Sequence, residues 1–344
     1  MDSTPTPTSH FMNARILIGF LALVVLGLLA WELRWVLLVL FGSIVLAVAL
    51  DVPVTLLRRI LPVNRQTALA IELVVLVTFG GMLISLLLPE VLQQAKQLAE
   101  LIPSVPSHLA DLLTKLPWLR NLEEQWLNGA SLERFQPLGQ QLLGFAGGAA
   151  NSTLQALLMA LLAVLFALDP RSHQRLLLAA TPQFYRPRMA VLLGECREAL
   201  GGWLAGMTLS AVLVFVATWA GLSLLGVPLA LLCALISGLL TFVPTVGPTA
   251  ATLLPMAVAL LLMSPAKMFQ VLLLRLVIQN AEAFVLTPVL LSRTVNLLPT
   301  VALISQLCLG ALLGLPGLLL ALPLVVVMQV MGKEIIVRDI MDQW

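Results

Sequence analysis

Charge is what this sequence has least of. Of its 344 residues only 10% are Asp, Glu, Lys or Arg, while 60% are hydrophobic. A soluble domain carries about a quarter charged residues, so a single soluble globular domain of this length is excluded. The apolar content also excludes an intrinsically disordered chain, whose signature is low hydrophobicity. The formal net charge of +2 leaves no basic excess for nucleic acid. The three cysteines, Cys196, Cys233 and Cys308, are too dispersed for a disulfide framework or a metal-ligand set. There is no G-x-x-x-x-G-K-[ST] loop, no zinc-type His/Cys spacing, no G-x-S-x-G elbow and no H-E-x-x-H. The sequence therefore predicts no enzyme, no cofactor and no metal. His10, His108 and His173 lie outside the apolar runs and make poor intramembrane relays.

What the chain has is long uncharged runs. No Asp, Glu, Lys or Arg occurs between Arg134 and Asp169, between Glu198 and Lys267, or between Arg293 and Lys333. A spanning helix needs about 20 mostly apolar residues, and these gaps hold several. The expected fold is an all-α polytopic membrane protein with about seven or eight membrane elements. Residues 1–14 read as a disordered polar tail and 15–88 as three spans (15–31, 34–50 and 66–88). Residues 89–148 carry Pro89, Pro103, Pro106, Pro117 and Pro137 among leucines at helical spacing, and read as an amphipathic segment outside the bilayer. A fourth span follows at 149–168, then a second amphipathic segment at 169–202, a C-terminal unit at 203–331 and a tail at 332–344.

Lys and Arg placement sets the expected orientation. Residues 51–66 hold Arg58, Arg59 and Arg65, and 169–202 hold Arg171, Arg175, Arg186, Arg188 and Arg197. The long segment 89–148 has Lys96, Lys115, Arg120 and Arg134 against six acids. Both termini and the two Arg-rich loops are expected inside, with 89–148 outside. Asp51 and Asp169 then end spans facing water, and Glu72 reaches back towards the cytoplasmic surface.

The C-terminal third carries the functional signal. The apolar run 228–262 is broken at Thr241-Phe-Val-Pro-Thr-Val-Gly-Pro248, and 299–331 is broken at Gly310-Ala-Leu-Leu-Gly-Leu-Pro-Gly317. Pro228 precedes Pro244 by 16 residues and Pro299 precedes Pro316 by 17. Non-helical backbone at membrane depth persists only where protein or a water-filled cavity meets it. Paired broken segments point to a transporter's site; ordinary hairpins with tight interfacial turns are the alternative. Both hairpins either span fully or re-enter. Pro244, Gly247, Pro248, Gly314 and Gly317 are candidate site residues on this ground. Between the hairpins, Arg275, Gln279 and Glu282 fall on one face of a helix at 266–287, and a polar stripe there must face protein or water. A structural ion pair or helix-packing bond is the alternative to substrate or ion binding.

Together, Gly226-Val-Pro228, Val243-Pro-Thr-Val-Gly-Pro248, Gln279 to Glu282, Leu286-Thr-Pro288, Arg293, Pro299 and the Gly310…Gly314…Gly317…Pro323 run resemble the AI-2E family of bacterial permeases, also called the autoinducer-2 exporter family. The resemblance covers about residues 15 to 331. Pro288 joins the candidate site through it. The chain departs from the family's usual Glu-Gly-Asn at Glu282-Ala283-Phe284, lacks the basic residue at Val289, and has Ser292 where a glycine is common. The resemblance implies a bacterial inner-membrane protein that moves small solutes without ATP, and a homo-oligomer, with a pentamer first to try. Some members are associated with autoinducer-2 export and others with sodium/proton antiport. The expected function is secondary transport or export of a small polar solute, an autoinducer-2-like metabolite among them. Cation/proton antiport at Glu282 and a non-transporting membrane scaffold are the alternatives.

Overall fold

The computed structural model describes residues 21, 24–25, 27–101, 149–243, 246–286 and 298–338. The tail 1–14, most of the span expected at 15–31, residues 102–148 of the external segment, Pro244, Pro288 and Arg293 lie outside the described residues.

Those described residues form helices and their connections, with no strand among them. They are α1 (Arg34–Ile60), α2 (Arg65–Leu101), α3 (Ala149–Leu168), α4 (Pro170–Ala179), α5 (Arg186–Leu224), α6 (Ala230–Leu240), α7 (Val246–Leu262), α8 (Pro265–Ala281) and α9 (Pro299–Met331). Proline opens four of them, at Pro170, Pro187, Pro265 and Pro299, where its missing N–H costs nothing. Asp169 and Ser264 supply side-chain caps for α4 and α8. The Asp169 carboxylate accepts from Ser172 Oγ (2.5 Å) and Ser172 N (3.1 Å), and these bonds hold its pKa below the ordinary carboxylate value.

Among the described residues, Arg34–Ile60, Arg65–Leu101, Gln183–Leu224 and Pro316–Ile335 are each long and apolar enough to cross a membrane. Leu154–Leu168 and Pro170–Ala179 meet at a bend of 88°. Valines and leucines such as Val74, Val77 and Leu86 point outward along α2, as lipid-facing positions do. Two helices are longer than the sequence suggests. α2 passes straight through Pro89, where the expected span ends, because one proline removes one backbone bond and lipid-depth helices tolerate that. α5 joins the amphipathic segment and the fifth span into one helix of 39 residues, about 58 Å long.

α5 is the axis on which the C-terminal half is assembled. α8 runs antiparallel to it, with Gly221 against Leu274, Thr218 against Arg275 and Ser210 against Glu282. α6 is also antiparallel to it, with Gly238 packed on the Ala211 carbonyl and Phe215. The second half of α9 is antiparallel too: Leu322 and Val326 share a core cluster with Leu200 and Trp203, and Arg188 pairs with Glu334 at 2.9 Å.

An ionic cluster ties the Arg-rich helix ends together. Asp51 of α1 pairs with Arg197 of α5 and with Arg65 of α2, whose Nη1 lies 2.6 Å away. The Arg65 contact is ionic and not an aligned hydrogen bond, since Asp51 Oδ1 accepts none. Arg65 also donates to the Ala167 carbonyl at the end of α3 (3.0 and 3.3 Å). Asp51 is buried and does not face water as expected, because α1 continues past it to Ile60. Glu72 is half-buried, and its Oε2 has no hydrogen-bond partner among the described residues.

Candidate functional site

Two broken segments approach the same level of α5. The first is the pair α6–α7 with Thr241–Thr245 between them. Its return is tight: Gly247 N–H donates to the Val243 carbonyl at 2.8 Å, and a Cβ on Gly247 would overlap the Leu240 carbonyl oxygen. Pro248, one residue on, leaves its carbonyl to accept from Thr252 Oγ1 at 2.8 Å. Because Gly238 sits on Ala211, the next turn of α6, at Thr241, falls near Met207 and Ser210.

The second is α9, which is not one straight helix. Gly314 has φ 66° and ψ −149°, a region open essentially to glycine. A Cβ on Gly310 would lie 3.5–3.8 Å from the Leu318 side chain, and one on Gly317 would overlap the Leu309 carbonyl oxygen. Residues eight apart lie about 12 Å apart on a straight helix, so these contacts require the arms Thr300–Gly314 and Pro316–Met331 to fold back on each other. Counting two turns from Leu322 to the Gly314 tip, and two turns from Trp203 to Ser210, brings this tip to about the same level of α5. Both hairpins use one device, a buried glycine early in the returning arm lying on a carbonyl of the outgoing arm.

The polar stripe of α8 meets α5 there. Glu282 opens a π-helical turn, Glu282–Leu286, that ends α8, and its Oε1 accepts from Ser210 Oγ at 2.7 Å. Such turns recur at functional sites. Arg275 is 3% exposed, and its Nη1 donates to Thr218 Oγ1 at 2.8 Å, while Nε lies 3.4 Å from Thr252 Oγ1 of α7. Gln279, partly buried between them, accepts the Glu282 N–H at its carbonyl.

The candidate residues thus fall into three groups. Glu282, with Gln279 one turn before it, lies at the Ser210 level of α5, and counting along the helices puts Thr241 of α6 and Gly314 of α9 near that level. Gly247 and Gly317 shape the tips from within. Arg275 lies two turns away, bridging α5 and α7. Sequence reasoning missed Ser210, Thr218, Thr241, Thr252 and Gln306. Ser and Thr in apolar helices bond readily to their own backbone, as Thr241 Oγ1 does to the Ser237 carbonyl (3.1 Å), so their presence alone carries no signal. The recoverable clue was that Ser210 and Thr218 lie eight residues apart, as far along α5 as Glu282 and Arg275 are along α8 to within one residue.

The arrangement presents a carboxylate, hydroxyls and interrupted backbone in the middle of an apolar helix assembly. Half-helix ends at such breaks offer N–H or C=O groups to polar solutes or ions. Among the described residues no group of three or more His, Cys, Asp or Glu side chains is placed to hold a metal ion.

Known proteins are similar to this chain in sequence. "Putative transport protein YhhT" of Escherichia coli (strain K12) is 27% identical over 326 residues, covering 93% of this chain and 90% of that one. "Putative permease PerM" of the same organism is 27% identical over 295 residues, or 82% of each chain. "Putative transport protein YrrI" of Bacillus subtilis (strain 168) is 27% identical over 151 residues, covering 44% of this chain and 42% of that one. The profile described as AI-2E family transporter matches residues 18–336, nearly the whole chain. This multi-pass bacterial membrane protein belongs to the AI-2E transporter family.

Proposed function

We propose that the chain is a secondary transporter of a small polar solute, an autoinducer-2-like metabolite being within the class, and that the solute passes between the hairpin tips beside Glu282. The observation that carries this reading is that the Glu282–Ser210 bond and the π-helical turn lie at the level of α5 to which helix counting brings both broken segments. A purely structural hairpin turn belongs at the membrane surface, where water satisfies its backbone; here the Gly314 break falls beside the interior of α5. With the Arg-rich ends inside, α6–α7 enters from outside and α9 from inside, and the N- and C-termini lie in the cytoplasm of the cell.

Passage follows movement of the C-terminal unit against the first helices. The moving unit is the part from about residue 203 to 331, and the continuity of α5 back to Arg186 would carry that helix's first turns with it. The Asp51–Arg197 pair joins the two bodies at the inner end. A crosslink fixing α1 to α5 abolishes transport under this reading; unimpaired transport in the crosslinked protein refutes the motion. Assembly as a homo-oligomer, a pentamer being the first to test, uses the outward apolar face of α2.

A second reading, cation/proton exchange, has one observation in its favour: Glu282 is a carboxylate placed at the tips. Uptake into proteoliposomes across a panel of metabolites and cations, with and without imposed proton and sodium gradients, separates the two. Solute transport predicts uptake of a neutral metabolite, reduced by about tenfold in Glu282→Gln through the weakened charge-assisted bond. Exchange predicts cation flux driven by a pH gradient and its loss in that variant. No flux of either kind leaves the scaffold reading.

A further inference from the structure

We propose that Gln306 is an inner binding position for the transported solute, used when the apolar seam between α9 and α1 opens as the C-terminal unit moves, and that the solute is neutral and bears a hydroxyl or carbonyl group. This inference rests on the transporter reading and extends it to a second position and a substrate class. Gln306 is 2% exposed, and among the described residues neither its Oε1 nor its Nε2 has a hydrogen-bond partner. Burying an amide without partners costs several kcal/mol in an apolar medium, and folded proteins leave few such groups. Where one persists, the physical question is which state satisfies it.

The surroundings answer part of that question. One turn before Gln306, Ala302 packs in the apolar cluster with Val45 of α1, Leu200, Trp203, Leu322 and Val326; one turn after it, Gly310 packs on Leu318. Gln306 therefore sits in the apolar seam where the arms of α9 meet α1 and α5, in about the same layer as Leu322. It lies eight residues before Gly314, about 12 Å from the tip along the arm. In the orientation proposed above this is on the cytoplasmic side of the Glu282 level, on the path a solute takes when the seam opens. In the closed seam the amide is unsatisfied. Opening gives it water or a solute, which lowers the cost of breaking the apolar contacts.

The chemistry of the position selects the ligand. A glutamine amide offers an acceptor oxygen and two donor hydrogens, a match for a hydroxyl or a carbonyl. The surrounding cluster contributes aliphatic side chains and the Trp203 ring, the lining expected of a small-molecule position with few polar groups. A bare cation here would have no counter-charge from that cluster, whereas Glu282 supplies one two turns away.

The test combines thermal unfolding of the purified full chain with uptake of radiolabelled glycerol, erythritol and ribose into proteoliposomes, for wild type, Gln306→Leu and Gln306→Met. The expected result is an unfolding temperature equal to or above wild type in both variants, with polyol uptake lowered by about tenfold or more, as loss of one or two hydrogen bonds implies. A lowered unfolding temperature in both variants marks a paired structural amide and overturns the inner position, while wild-type uptake keeps the transporter reading intact. Uptake equal to wild type also overturns it. If wild-type vesicles move none of the three solutes, the neutral-solute reading falls and the inner position falls with it.

Discussion

Replacing Gly317 by alanine isolates the hairpin geometry from every other feature of the site. The new Cβ would overlap the Leu309 carbonyl oxygen and stand 2.6 Å from Leu313 Cβ, where ordinary contact is 3.4–4 Å. The arms of α9 must therefore part by about 1 Å near their tip. Overpacking of this size costs about 1–3 kcal/mol. Because the nearest atom belongs to backbone, no rotamer change relieves the clash, which puts Gly317→Ala at the top of that range. Gly314→Ala meets no atom within 4 Å but keeps a φ of 66°, so its cost of about 1–3 kcal/mol is conformational. Gly80→Ala in α2 meets neither obstacle and gains about 0.5–1 kcal/mol from a stiffer unfolded chain. Thermal unfolding of the three purified variants is thus expected to rank Gly80→Ala above wild type, with Gly314→Ala and Gly317→Ala below it. Solute uptake should fall in the last two only. Gly317→Ala unfolding at the wild-type temperature would refute the folded-back hairpin, since a straight α9 has room for that methyl.

Two further predictions concern the helix ends. Asp51→Ala removes two ionic contacts at once and is expected to destabilise by about 2–3 kcal/mol, whereas Arg197→Ala costs about 1 kcal/mol because Arg197 is 40% exposed and Arg65 remains as a partner. A double-mutant cycle measures the coupling, and equal losses in the two single variants would contradict the cluster. Asp169 has a pKa below its ordinary value, so its cap on α4 is fully present above pH 3.8 and is lost as pH falls through the lowered folded value. Circular dichroism of Asp169→Asn against wild type should differ at neutral pH and converge in acid; a constant difference throughout would dismiss the charged cap.

Much of the architecture was legible because bilayers impose a coarse rule. Uncharged runs of sufficient length become helices, and the Gly/Pro clusters at 241–248 and 310–317 had to interrupt them. The stripe Arg275, Gln279, Glu282 was legible from helical periodicity alone. Single prolines misled: Pro89 looks like a boundary, yet α2 continues to Leu101, since one missing N–H is small beside the cost of exposing several backbone groups to lipid. Asp51 misled in the same way, because its partners Arg65 and Arg197 come from helices far apart in sequence, and no local pattern announces such a pair. Gln306 gave no signal either, as an isolated polar residue in an apolar run reads the same whether paired or orphaned.

The sequence alone determined that the chain lives in a bilayer, where its helices break, and which few charges must face protein. Those are consequences of desolvation, which acts residue by residue and is readable without coordinates. Only the tertiary structure decided that α9 folds back at Gly314, that Ser210 holds Glu282, and that Arg275 is held by Thr218. Those facts depend on the register between helices, which is fixed by packing across the assembly: glycines on carbonyls and leucines in shared clusters.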